Sequence, residues 1–242
     1  MLNNFLDNAT KALAKINETQ KDNIKTAGRI VADTIKYDGI IRPIGTGHSH
    51  LVATEMYQRA GGLVPVVPLL ENNLMMHEGG RKSGTLERLT GYAAMILATR
   101  DVEKKDTIIV ISQSGRNAVP VEMALEAKKR GIKTIGITSL AHAKSVTSRA
   151  PCGKRLFEVA DVVIDTGTPI GDASVEFEQM NISVAPLSTI CGVFIWHSIA
   201  ISAIDQLLEE GITPPAFMSN NAPGGDQHNL ELFIKYRNRV PF

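Results

Sequence analysis

The sequence predicts an α/β fold, a three-layer αβα sandwich around a mostly parallel five-stranded sheet, and three observations carry that expectation. Short runs rich in Val and Ile alternate with helix-length segments across residues 40–208. Most of these runs are apolar nearly throughout rather than every second residue, the pattern of strands buried on both faces. No internal repeat or low-complexity linker interrupts them, so the alternation implies right-handed crossovers and helices layered on a parallel sheet.

Taken in order, residues 1–37 read as one long amphipathic helix. Phe5, Ala9, Leu13 and Ile16, then Ile24, Ala27, Ile30, Val31 and Ile35, recur at helical spacing until Tyr37-Asp38-Gly39. The five strand-like runs are residues 40–44, 63–70, 107–111, 134–138 and 162–164. Between and after them, residues 50–60, 85–99, 119–129 and 187–208 have the length and spacing of helices. The organisation expected is an N-terminal helix over residues 1–38, a core over 39–210 and a tail over 211–242, one structural domain in all. The tail begins with three prolines, paired glycines and several amides, a composition of functional loops or lids. Residues 230–236 then return to a helical pattern.

Composition narrows the function classes. A chain of 242 residues buries about 70–75% of its unfolded surface and needs no staples. Its 26 basic and 25 acidic residues leave a formal charge of +1, with no broad footprint for nucleic acid or an anionic membrane. Cys152 and Cys191 make neither a disulfide scaffold nor a metal knuckle. The N-terminus lacks the apolar run of a signal peptide, and no stretch approaches the ~20 apolar residues that span a bilayer, so cytoplasm is the expected location.

In open α/β sheets ligands sit beyond the carboxyl ends of the strands. The first strand–helix turn reads Gly45-Thr46-Gly47-His48-Ser49-His50. Its glycines admit backbone to a ligand, and Ser49 adds a hydroxyl at a helix start. No Gly-Lys-Ser/Thr follows, and the third glycine of a dinucleotide fingerprint is replaced by His50. The second turn, Ser112-Gln113-Ser114-Gly115-Arg116-Asn117, offers two hydroxyls, an amide and a glycine. Ser and Asn there either cap a helix or, with backbone N–H groups, surround a phosphate.

These two motifs, Gly45-x-Gly47-x-Ser49 and Ser112-x-Ser114-Gly115-x-Asn117, resemble the SIS (sugar isomerase) domain, whose fold is flavodoxin-like. Asn117 stands where that family usually has Thr. Ile137-Thr138-Ser139 and Pro186-Leu187-Ser188-Thr189 extend the resemblance, in the family's order, over residues 39–210. The resemblance implies that Ser112, Gln113, Ser114, Gly115 and Asn117 hold a sugar phosphate, with Gly47, His48 and Ser49 contacting it from the first turn. Ser188 and Thr189 either cap the last helix or join the ligand. It also implies a homodimer or homotetramer with sites near subunit boundaries.

Among these proteins the chain looks nearest to phosphoheptose isomerases, which implies aldose–ketose isomerisation without a cofactor or metal. That chemistry needs a base on carbon and an acid on oxygen. His197 sits where the family's histidine falls. The familiar glutamate position holds Arg59, and Glu55 is the nearest carboxylate on that helix. His77 and Glu78 form a second acid–base candidate after the second strand, and His48-x-His50 lacks a third metal ligand. A non-catalytic phosphosugar sensor and a sugar-phosphate etherase or lyase are the alternatives. A DNA-binding regulator would need an added helix-turn-helix domain, and an amidotransferase would need a glutaminase domain and a second SIS copy.

Overall fold

Four parallel strands in sequence order make the sheet: β1 (Ile41–Gly45), β2 (Thr107–Ile111), β3 (Lys133–Thr138) and β4 (Val162–Asp165). The chain is described from residue 2 to residue 241 in a computed structural model. Ile44 pairs with Val110, Val110 with Gly136, and Gly136 with Val163, so the ladder is in register across all four. β2 is buried at every position. Its Ile109 and Ile111 enter one core, and Ile108 and Val110 enter the other, as a pleat covered on both faces requires.

The fifth expected strand is an irregular edge. Residues 63–70 run beside β1, with Val67 N–H donating to Ile41 O and Leu69 N–H donating to Pro43 O. Pro43 of β1 has no N–H to give Val67 O, so the segment makes an isolated bridge to β1, Ile41 to Val66, instead of a ladder, while Leu63 bridges Ala216 of the tail.

Two layers of helices cover the sheet. On one face lie α1 (Leu2–Thr19), α2 (Lys21–Lys36), α3 (Ser49–Glu55) and α8 (Ser188–Glu209). On the other lie α5 (Tyr92–Ala98) and α6 (Ala118–Lys129), while α4 (Gly80–Leu86), α7 (Leu140–Ser145) and α9 (Gly225–Tyr236) sit at the margins. A two-stranded antiparallel hairpin, β5 (Ala173–Val175) with β6 (Val184–Pro186), precedes α8.

The single helix expected over residues 1–37 is two. The chain bends at Gln20, whose Oε1 accepts from Asp165 N–H of β4 at 3.0 Å and from Asn23 Nδ2 at 3.2 Å. The bend lets Ile16 and Ile24, both buried, reach the same core. The helix expected over 50–60 stops at Glu55, shortly before Gln58 at φ +45°. The one expected over 85–99 breaks before Tyr92, at Gly91, which has φ +83° and donates its N–H to Glu122.

α8 corrects one further expectation. It is the one helix among the described residues long and apolar enough, by length and composition alone, to cross a membrane. Its apolar content has a packing cause: Cys191, Ile195, Trp196, Ile199, Ala203 and Leu207 are buried in the core that α2 shares. Cys152 is exposed.

The tail is ordered against the amino ends of the strands. Phe217, Tyr236 and Val240 bury Ile40 and Val64, and Arg239 Nη2 donates to both oxygens of Asp106. Asp106 is 2% exposed and also accepts from the N–H groups of Ile40 and Glu103 and from Arg42 Nε. These contacts lie at the end of the sheet opposite the two ligand turns.

Candidate functional site

Both turns singled out above emerge at the carboxyl edge of adjacent strands, β1 and β2. In the first, a Cβ on Gly45 would collide with the Ser49 carbonyl, so glycine is what lets α3 start directly against the strand end. Gly47 donates to Leu74 O at 2.9 Å, tying the 72–78 segment to the turn. His50 is buried and its Nδ1 lies 2.5 Å from Gly47 O, while His48 is exposed. His77 meets His50 edge to face with ring centroids 6.1 Å apart, and Glu78 reaches Lys82 at 3.5 Å.

The second turn is organised as an open ring of donors. Gly115 has φ +58°, and its N–H closes onto Ser112 Oγ at 3.2 Å. The N–H groups of Gln113, Ser114, Arg116, Asn117 and Ala118 have no acceptor among the described residues. Consecutive unpaired N–H groups around a left-handed residue form an anion-binding concavity. Ser114 Oγ, next to them, is likewise without a partner among the described residues.

Asn117 is not a helix cap. An N-cap side chain satisfies the N–H of the second or third helical residue. Here the second, Val119, donates to the Glu87 carbonyl at 3.0 Å, and the third is Pro120, which has none. The buried Asn117 amide bonds elsewhere: Nδ2 donates to Glu87 Oε1 at 2.7 Å, and Oδ1 accepts from Arg149 Nη1 at 3.3 Å.

Glu87, which the sequence did not single out, therefore joins the turns. Its Oε2 accepts from Thr46 Oγ1 of the first turn at 2.7 Å while Oε1 holds Asn117 of the second. Burial pushes its carboxyl above the ordinary range, against the Thr46 hydrogen bond and the charges of Arg88 and Arg149.

The other expected residues have defined places. The Gln113 amide donates to Thr166 Oγ1 and Thr168 Oγ1, so its side chain braces the β4 end and only its backbone joins the donor ring. Ser188 donates its hydroxyl and its N–H to Asp172, which stands in as the cap of α8. Thr189 is half-buried with no partner among the described residues.

Glu55 and His197 come together. His197 Nε2 lies 3.5 Å from Glu55 Oε1, and Arg59 forms an ion pair with the same carboxylate. A neighbouring carboxylate alone would raise a histidine, but Arg59 answers the Glu55 charge. Burial first, and Arg59 second, hold His197 below its ordinary range, which favours the neutral imidazole.

A parallel αβα sandwich with a serine-rich donor ring after its second strand defines a class of protein that binds ligands at the strand ends. Residues 4–139 match the family model described as SIS domain, and the chain belongs to that family. A UPF0309 protein of Listeria innocua is 42% identical over 241 residues, 100% of this chain and 98% of the relative. The fold is shared with a phosphoheptose isomerase of Francisella tularensis at TM-score 0.57 and 14% identity, over 85% of this chain and 96% of that one. A phosphoheptose isomerase of Neisseria gonorrhoeae follows at TM-score 0.54 and 15% identity, over 83% and 95%.

Proposed function

We propose that this protein binds a phosphorylated sugar, seats its phosphate in the donor ring of residues 113–118, and moves the sugar carbonyl between C1 and C2 without a cofactor. The observation that carries the reading is the set of five unpaired N–H groups beside Ser114. A phosphate oxygen array satisfies several such groups at once.

Glu55 is the base on carbon in this reading, and His197 serves the oxygens. Six helical steps from Ser49 to Glu55 span about 9 Å, of the order of an extended sugar phosphate. A neutral imidazole can donate to a sugar oxygen and take the proton back at neutral pH.

A thermal-shift screen tests the binding step. A phosphosugar at about 100 times its Kd stabilises the fold by about 2.7 kcal/mol, and the unphosphorylated parent should give no shift. Ser114→Ala should reduce the shift at equal ligand concentration. A parent sugar that shifts the transition as much as its phosphate would remove the ring from the reading.

The protein acts in this reading as a homo-oligomer. Ile190, Phe194, His197, Ile201, Ile204 and Leu208 recur along α8 at alternating steps of four and three, the seam of a helix–helix interface. Ile201 is 60% exposed and Leu208 57%, too apolar a stripe to face water, and a second copy that covers it also covers Glu55 and His197. Ile201→Glu should convert the oligomer to monomer in light scattering at micromolar concentration. An unchanged mass would rule the stripe out as the interface.

A further inference from the structure

Arg149 lies on a loop far in sequence from both turns, yet it is tied to the donor ring at two points. Its N–H donates to Arg116 O at 2.7 Å, and its Nη1 donates to Asn117 Oδ1 at 3.3 Å. The loop itself is braced, because Ser148 Oγ accepts from Ala150 N–H at 3.0 Å and donates to Lys154 O at 2.7 Å. The far end of the Asn117 amide is fixed by Glu87. Glu87, Asn117 and Arg149 thus form a chain that ends in a guanidinium beside the unpaired N–H groups of residues 116–118.

That guanidinium has work left to do. It makes no ion pair among the described residues, and its contact with Asn117 uses one of its five donors. Arg116 adds a second cation near Arg149; its Nη2 donates to Thr147 Oγ1 at 3.3 Å, and its Nε is buried with no partner among the described residues. Arg88 adjoins Glu87 in the chain. Against these three arginines stands one acidic group, Glu87, so the patch carries net positive charge next to a ring of N–H donors. Serines and backbone N–H groups favour an anion but carry no full charge to distinguish a dianion from a monoanion. A guanidinium favours the dianion and binds its oxygens in parallel pairs.

We propose that Arg149 is a cationic ligand of the phosphate, and that Glu87 and Asn117 are positioning residues that aim it. The inference rests on the phosphosugar reading and deepens it, by making the site selective for a doubly charged phosphate monoester. The contact with Asn117 fixes where the guanidinium sits, and Glu87 fixes Asn117.

The test uses the full-length protein and inorganic phosphate as the probe, with affinity measured by calorimetric titration at about 50 mM and about 500 mM salt, above and below a Debye length of 10 Å. Arg149→Gln, an exposed substitution that leaves the core untouched, should weaken phosphate about tenfold or more and flatten the salt dependence. Ser114→Ala should weaken binding and leave the salt dependence as it was. Glu87→Ala should weaken it through Arg149, so that adding Arg149→Gln to it costs nothing further, and Glu87→Gln, which still accepts from Asn117, should restore most of the loss. If Arg149→Gln keeps wild-type affinity and salt response while Ser114→Ala weakens binding, the ring stands and Arg149 is not part of it. Independent, additive losses from Glu87→Ala and Arg149→Gln would overturn the positioning role. If neither Ser114→Ala nor Arg149→Gln changes phosphate affinity, the phosphate ring fails and this inference with it.

Discussion

Asp106→Ala is expected to destabilise the fold by about 3–5 kcal/mol, the range for removing one partner of a buried ion pair. Asp106 is buried at the amino ends of β1 and β2, where its two oxygens accept from the N–H groups of Ile40 and Glu103, from Arg42 Nε at 3.2 Å and from Arg239 Nη2 at 2.9 and 3.1 Å. Truncation strands the Arg42 guanidinium, which is 4% exposed and keeps only the Asp101 carbonyl. It orphans two backbone donors and leaves Arg239 with only its ion pairs to Asp101 and Glu103. Much of a typical margin of 5–15 kcal/mol would go. Urea unfolding reads the change as a fall in midpoint with an unchanged slope. Arg239→Ala separates the contributions, because it releases the tail while leaving Arg42 paired, and it should cost clearly less. A loss below about 1 kcal/mol for Asp106→Ala would mean that water enters and solvates Arg42, and that the network does not hold the strand ends.

β2 was legible because five consecutive buried residues leave an uninterrupted apolar run. The expected fifth strand was apolar enough, and failed on backbone chemistry at Pro43 of its neighbour β1, a signal present in the sequence and outweighed by the Val and Leu of the run itself. The β5–β6 hairpin has three-residue strands that are half exposed, too short for any period. Gln20 breaks the first helix for a tertiary reason, its hydrogen bond to β4.

The site divides the same way. Ser112, Ser114 and Gly115 were visible because they are contiguous. Whether Asn117 caps a helix was open, although Pro120 three residues later already removes the N–H that such a cap would serve. Glu87 and Arg149 had no local signal. Glu87 lies in a segment that reads as an ordinary amphipathic helix, and Arg149 in a polar loop. Their role exists only where three distant segments meet at Asn117.

Glu55→Gln is expected to lower the isomerisation kcat by about 10²–10⁴, the usual contribution of a positioned acid or base, with KM for the phosphosugar within about threefold of wild type. The split follows from the geometry. The amide keeps the shape of the carboxylate and a contact with Arg59 but cannot take a proton from carbon. The phosphate is held in the ring of residues 113–118, which Glu55 does not join, so the ground-state complex loses little. His197→Gln should cost a comparable factor in kcat. Burial and Arg59 hold His197 of the free enzyme below the ordinary histidine value, so kcat/KM should keep its plateau to a lower pH than an ordinary imidazole would allow. His77→Asn is the discriminating control. His77 packs against His50 at the mouth of the first turn, 6.1 Å between ring centroids, whereas Glu55 and His197 share the α3–α8 face. If His77→Asn abolished turnover while Glu55→Gln left kcat intact, the acid–base work would belong to the 72–78 segment. The α3–α8 pair, with Arg59 neutralising its carboxylate, would then be an interface ion cluster.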